Sequence, residues 1–267
     1  MSVCYVSAFY DINRENWKAL YPRSFSEYLK YFLPYIDLFS RDDKKCEMIV
    51  YIDDKHIDEV KKHMKPNTDI KLIPINKEFM ETNIPMWKKL DREKEIMSSS
   101  EFKNLIPHRL NFPENSVPEY SLINHSKIDF VNYTIENKLS SFDYFLWTDF
   151  GVLTKEEFIP KKFINIDQMK VDKINISLIN HMDNRDSDRI YILINAPEKI
   201  GGAFYFGEKN VWKKFQCLYH AILSEYQISG ICDDDQALVI ACHFRDPTLF
   251  HMHYIGRWSI TLRHFSE

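Results

Sequence analysis

Glycine is scarce in this chain, six residues in 267, and cysteine is limited to Cys4, Cys46, Cys217, Cys232 and Cys242. So little glycine argues against a linker-rich or low-complexity protein. An odd number of cysteines with no C-x-x-C pair argues against a disulfide framework and a cysteine-held zinc, and points to a reducing compartment. There is no basic excess either. The formal net charge is −4, so no nucleic-acid partner is expected, and the pairs Lys61-Lys62 and Lys88-Lys89 read as solvated helix faces. No stretch approaches the roughly 18–20 apolar residues of a membrane span, and the N-terminal MSVCYVSAFYDINREN lacks a basic segment followed by a long apolar one. A cytoplasmic protein with no transmembrane segment is expected, which leaves a lipid-linked substrate within reach. G-x-G-x-x-G, Walker A, G-x-S-x-G and H-E-x-x-H patterns are also missing. Their absence argues against dinucleotide, P-loop, covalent hydrolase and zinc-peptidase chemistry.

What is abundant is apolar and aromatic. Hydrophobic residues make up 45% and aromatic residues 15% of the chain, ample for one large core and a single domain over 1–267. SVCYVSAFY, EMIVYID and DIKLIPI read as strands. Between the first two, Phe25, Tyr28, Leu29, Phe32 and Ile36 recur at the spacing of one helix face, with Ser24 as N-cap and a perturbation expected at Pro34. KHIDEVKKHM supplies a second helix. Strand, helix, strand, helix, strand is the order of a doubly wound, Rossmann-like parallel sheet, which binds ligands beyond the carboxyl ends of its strands. Residues 76–118 carry helical pieces without a strong strand and read as a helical insertion, a lid or an acceptor-facing element. One helix is expected over EYSLINHSKIDFVNYTIENKL, then strands at FDYFLWTD, KINISLIN, RIYILIN and GGAFYFG. Helices over EKNVWKKFQCLYHAILSEYQ and DDDQALVIACH and a last strand at TLFHMHYI complete a mixed α/β half.

Four places combine chemistry-bearing residues with an interrupted pattern. The buried-looking run YFLWT ends in Asp149-Phe150-Gly151, where a carboxylate followed by glycine can hold a divalent cation that carries a diphosphate. The plainer reading is a turn-forming Asp. Gly201 and Gly202 open the strand GGAFYFG, where backbone can approach a sugar closely, or simply turn. In CDDDQALVI, Asp233 and Asp234 suit a helix N-terminus, whereas Asp235-Gln236 offer a carboxylate and an amide to sugar hydroxyls. In FHMHYIGRW, His251 and His253 share one face of a strand, where an imidazole can ligate metal or serve structure, and Arg257 can pair with phosphate.

Taken in order, VSAFYDINR, the run from YSLINHSKIDF to WTDFG, GGAFYFG and DDDQALV resemble the HtrL/YibB family, outside the 76–118 region. The resemblance implies a GT-A fold, that is, a nucleotide-sugar-binding α/β domain, and glycosyl transfer. His253 to Trp258 is also similar to the H-x-x-G-basic-Trp ending of the retaining family 8 glycosyltransferases, which include glycogenin. There the histidine ligates manganese, the basic residue meets the diphosphate and an Asp-Gln pair lies by the reacting sugar. This implies Asp149 and His253 as ligands of Mn2+ or Mg2+, Arg257 at the diphosphate, and Asp235-Gln236 at the chemistry. Where those enzymes carry D-x-D, this chain has Asp149-Phe150-Gly151, so His253 and diphosphate oxygens would complete the metal shell. The resemblance further implies a nucleoside pocket from Ala8 to Arg14 with Asp11 at base or ribose, Lys127 at donor phosphate or sugar, and Gly201 and Gly202 at the sugar. The expected reaction moves a sugar from a nucleoside diphosphate, uridine-based, to a hydroxyl of a glycan, lipid-linked glycan or protein. A non-catalytic binding module on the same fold, and a metal-dependent phosphohydrolase using residues 233–235, are the alternatives.

Overall fold

Near-continuous apolar runs in the first strands dictate a sheet covered on both faces. The computed structural model describes residues 2–18, 20–41 and 45–267. β1 (Val3–Phe9), α1 (Phe25–Phe39), β2 (Cys46–Asp53), α2 (Ile57–His63) and β3 (Ile70–Ile75) alternate as the sequence predicts. The insertion follows as α3 (Lys77–Asn83), α4 (Leu90–Ser98), α5 (Ser100–Leu105) and α6 (Pro113–Ser116). It is packed rather than free-standing: Met80, Met86, Ile96 and Phe102 from it are buried in the main core.

The single helix expected next is two, α7 (Pro118–His125) and α8 (Lys127–Glu136), which meet at Ser126. Then come β4 (Tyr144–Thr148), β5 (Ile174–Leu178), α9 (Arg189–Asn195), β6 (Ile200–Glu208), α10 (Lys209–Ile228), α11 (Asp235–Arg245), β7 (Phe250–Tyr254) and α12 (Thr261–His264). One expected strand is therefore a helix. RIYILIN is rich in β-branched residues, yet Asp188 caps it by accepting from the N–H groups of Ile190 and Tyr191, and Ile192 and Leu193 are buried on its inner side. Capping and packing outweigh the weak strand propensity.

The sheet runs β3-β2-β1-β4-β6-β5-β7. β3, β2, β1 and β4 are parallel, β6 is antiparallel to both β4 and β5, and β7 is parallel to β5. From β1 the chain steps outward to β2 and β3 on one side, then crosses back to β4 on the other side of β1, so the strand order reverses between β1 and β4 and a crevice opens beyond their carboxyl ends. Helices α8, α10 and α11 cover one face, and α1 and the C-terminal segment cover the other.

Helix α1 joins core to crevice. Ser24 and Glu27 form a reciprocal capping box, and Pro34 sits inside the helix without ending it, since Leu29, Phe32, Tyr35 and Ile36 are anchored in the core. Phe32 is fully buried and stacks on Phe150 with centroids 4.3 Å apart, while the Tyr35 hydroxyl lies 2.6 Å from Thr148 Oγ1. Phe32→Ala should therefore cost about 3–5 kcal/mol and Ser24→Ala about 1 kcal/mol, read from urea midpoints at constant slope.

Candidate functional site

The carboxylate at the end of β4 has partners waiting for it. Asp149 Oδ1 accepts from Trp147 Nε1 at 2.8 Å and lies 3.2 Å from Lys127 Nζ. Lys127, the first residue of α8, also donates to Asp235 Oδ2 at 2.9 Å and to the Gly202 carbonyl at 3.0 Å. Asp235 Oδ2 accepts from the Tyr205 hydroxyl as well, at 2.9 Å. Three residues singled out in separate stretches thus form one buried cluster. Burial opposes the Lys127 charge, but Asp149 and Asp235 outweigh it and hold the ammonium above the usual lysine range. Burial raises Asp149, with Lys127 opposing, although water in the cleft reaches 36% of its side chain.

The glycines are needed for packing rather than for unusual dihedrals. A Cβ on Gly202 would come 2.7 Å from Asp235 Oδ2, and one on Gly201 would come 2.8 Å from the Trp258 Cβ. At Gly151 the close neighbour is the Tyr28 ring, 2.6 Å from an added Cβ. Gly151 therefore admits an aromatic side chain of α1, and both residues line the first cavity described below.

Two cavities meet at this cluster. The first, about 330 Å³, opens beyond β1 and β4 and includes Ala8, Asp11 and Arg14 in its wall. Phe25 and His56 stack there at 3.8 Å, and Arg14 hydrogen-bonds the Tyr28 hydroxyl and lies over the rings of Trp17 and Tyr120. Asp11 is already engaged with Lys55 at 2.8 Å and His56 at 3.0 Å, and these partners outweigh burial and lower its pKa. The second cavity, about 370 Å³, is lined by Gly202, Asp233, Asp234, Asp235, Gln236 and Arg109 among others. Tyr120, Asn124, Lys127, Asp149 and Trp258 border both.

Two expected members stand elsewhere. His251 and His253 do share a face of β7, their rings 4.5 Å apart. That face, however, is the one covered by Phe265, across the sheet from Trp147 and Asp149. His253 Nε2 lies 2.9 Å from Asn175 Oδ1, and burial, with His251 and His264, pushes its pKa down to about 4. Asp149 and His253 consequently do not converge. Among the described residues no three His, Cys, Asp or Glu side chains are grouped to hold a metal ion. Arg257 is 62% exposed at its side chain, 3.9 Å from Glu157, and outside both cavities. Its neighbour Trp258 faces the site instead. Phe25 and Tyr28 read in the sequence only as part of a helix face, and His56 and Tyr120 carry no signal there, because local spacing shows helix or loop and nothing about the crevice these side chains reach.

The cluster is held by opposite charge, so breaking it is costly. Lys127→Met should destabilise by about 3–5 kcal/mol, toward the lower end because Asp149 is partly solvated, and adding Asp235→Asn should restore part of it in urea titrations. Asp233 gives a pH signature. Burial pushes its carboxyl up to about 6 against the pull of Arg109, so the folded chain keeps a proton that the unfolded chain loses near 3.8. Stability therefore falls as pH rises from about 4 to about 6. Asp233→Asn should flatten the fall in Tm across that window.

Comparison with known proteins gives the lineage. The family model for bacterial proteins of unknown function, HtrL_YibB, matches residues 1–267. Protein HtrL of Escherichia coli (strain K12) is 29% identical over 271 residues, spanning 96% of this chain and 89% of the relative. With the family model matched from end to end, the chain belongs to the HtrL_YibB family.

Proposed function

We propose that this protein transfers a sugar from a nucleoside diphosphate to a hydroxyl of a glycan, lipid-linked glycan or protein. The observation that carries this reading is the pair of cavities meeting at Lys127 and Asp149 beyond the ends of β1 and β4. In the first, the Phe25 and His56 rings suit a base, and Arg14 and Arg23 suit phosphates. In the second, Asp235, Gln236 and the indole of Trp258 suit sugar hydroxyls and a sugar face. Uridine as the base rests on the family 8 likeness of the C-terminal motif. No helix among the described residues is long and apolar enough to cross a membrane. An odd number of cysteines with no C-x-x-C pair suits action in a reducing cytoplasm.

In the transfer, the C1–O bond to the diphosphate breaks, the acceptor oxygen bonds C1, and the acceptor proton passes to a carboxylate or to the departing phosphate. Lys127, cationic at the junction, and Arg14 stabilise the charge that builds on the leaving diphosphate. Asp235 uses Oδ2 for Lys127 and Tyr205, while its Oδ1 makes no hydrogen bond among the described residues and can accept from a sugar hydroxyl. Asp235 also serves as general base if the transfer inverts.

The manganese or magnesium implied by the resemblance does not fit the residues present. Asp149 faces the Lys127 ammonium where a cation would sit, and His253 lies across the sheet. No catalytic step is therefore assigned to a metal. A phosphohydrolase of residues 233–235 fits no better, since Asp234 Oδ1 caps α11 and Asp235 is bound to Lys127.

The test is a thermal-shift panel of UDP, GDP, CDP and their sugars, with manganese or with EDTA, followed by turnover assays. A Tm rise with one nucleotide, halved or lost in Arg14→Ala, and sugar-nucleotide hydrolysis or transfer lost in Asp235→Asn, is the expected outcome. No shift with any nucleotide at millimolar concentration sinks the donor site, and binding without turnover moves the protein to a binding module.

A further inference from the structure

The second cavity is too acidic for its apparent task. Six carboxylates border it, Glu114, Asp149, Glu198, Asp233, Asp234 and Asp235, against the two cations Arg109 and Lys127. Both cations are already shared: Lys127 between Asp149 and Asp235, and Arg109 between Glu114 at 3.2 Å and Asp233 at 3.9 Å. Acidity alone describes many surfaces. Here a second observation points to a ligand: Asp233 is only 3% exposed, lies in the cavity wall, and its Oδ2 has no hydrogen-bond partner. An unpartnered buried carboxylate oxygen is costly, and Asp233 differs from the other such oxygens, on Glu93 and Asp186, in belonging to a residue of a cavity wall, where a ligand can supply the donor.

We propose that the second cavity binds the ammonium group of an unacetylated amino sugar, with Asp233 and its neighbouring carboxylates as the recognition site. A neutral sugar could satisfy acceptors with its hydroxyls but would leave the excess negative charge in place. An ammonium supplies three donors and a positive charge together. The ring is provided for as well: Trp258 borders the cavity with 41% of its surface exposed, and Gln236 adds an amide. An acetamido sugar loses the charge and turns a carbonyl oxygen toward carboxylates.

Calling this ligand the acceptor rests on the transferase reading, whereas the binding does not. Isothermal titration of the whole protein with glucosamine, N-acetylglucosamine, glucose and ethanolamine separates the terms. Glucosamine should bind at least about ten-fold tighter than the other two sugars, the worth of one charge-assisted hydrogen bond, and tighter than ethanolamine. Asp233→Asn should abolish that preference. Glu198→Gln, at an exposed rim position, should weaken it by less and cannot prevent folding. Equal affinity for glucosamine and N-acetylglucosamine overturns the proposal, and ethanolamine matching glucosamine overturns the sugar part. A nucleotide shift without amine preference sinks this inference alone, whereas amine preference without any nucleotide effect sinks the transferase alone.

Discussion

The buried ammonium of Lys127 is the contact on which the rest of the site depends. It reaches Asp149 after β4, Asp235 at the head of α11 and the carbonyl of Gly202 in β6. Four elements from distant parts of the chain are thereby fixed to one point. A buried charge of this kind adds little net stability, since desolvation offsets most of the attraction, but it penalises every arrangement in which one partner is missing. Its value is geometric. The absence of a side chain at Gly202 is what lets Asp235 approach, and the Tyr205 hydroxyl fixes the carboxylate from the other side.

Around that point the sheet does two jobs. The parallel half, β3-β2-β1-β4, creates the crevice, and antiparallel β6 carries the glycine pair past the carboxyl end of β4, where the second cavity opens next to the first. The two differ in chemistry. The first has stacked rings and guanidinium groups, and the second has an excess of carboxylates. Under the proposed transfer, the anionic and the cationic or hydroxylated portions of the ligands would be sorted by field before any specific contact is made.

Much of this was legible in the sequence. Alternating strands and helices up to Ile75 follow from periodicity, and the odd position of Asp149 at a strand end announced the site. Asp235 and the two glycines stood out for similar reasons. Their convergence did not, because Lys127 lies 22 residues from Asp149 and 108 from Asp235, and no local pattern records such distances. His253 is instructive: alternation along β7 placed both imidazoles on one face, but which face depends on the pairing of β7 with β5. A shift by one residue would have turned them to the opposite face of the sheet. Arg257 failed differently, since a motif fixes neighbours in sequence and left Trp258 rather than Arg257 in the wall. RIYILIN misled through composition although Asp188, its cap, was visible.

A shared wall has a thermodynamic meaning. Asp149, Lys127 and Trp258 border both cavities, so an occupant of either changes the field and shape met by the other. A diphosphate beside Lys127 competes with Asp235 for the ammonium and leaves the acidic side more negative, which favours a cation there. Linkage requires the cation to favour the diphosphate by the same factor. Two ligands of opposite charge would therefore load cooperatively in either order, with no moving lid or second conformation.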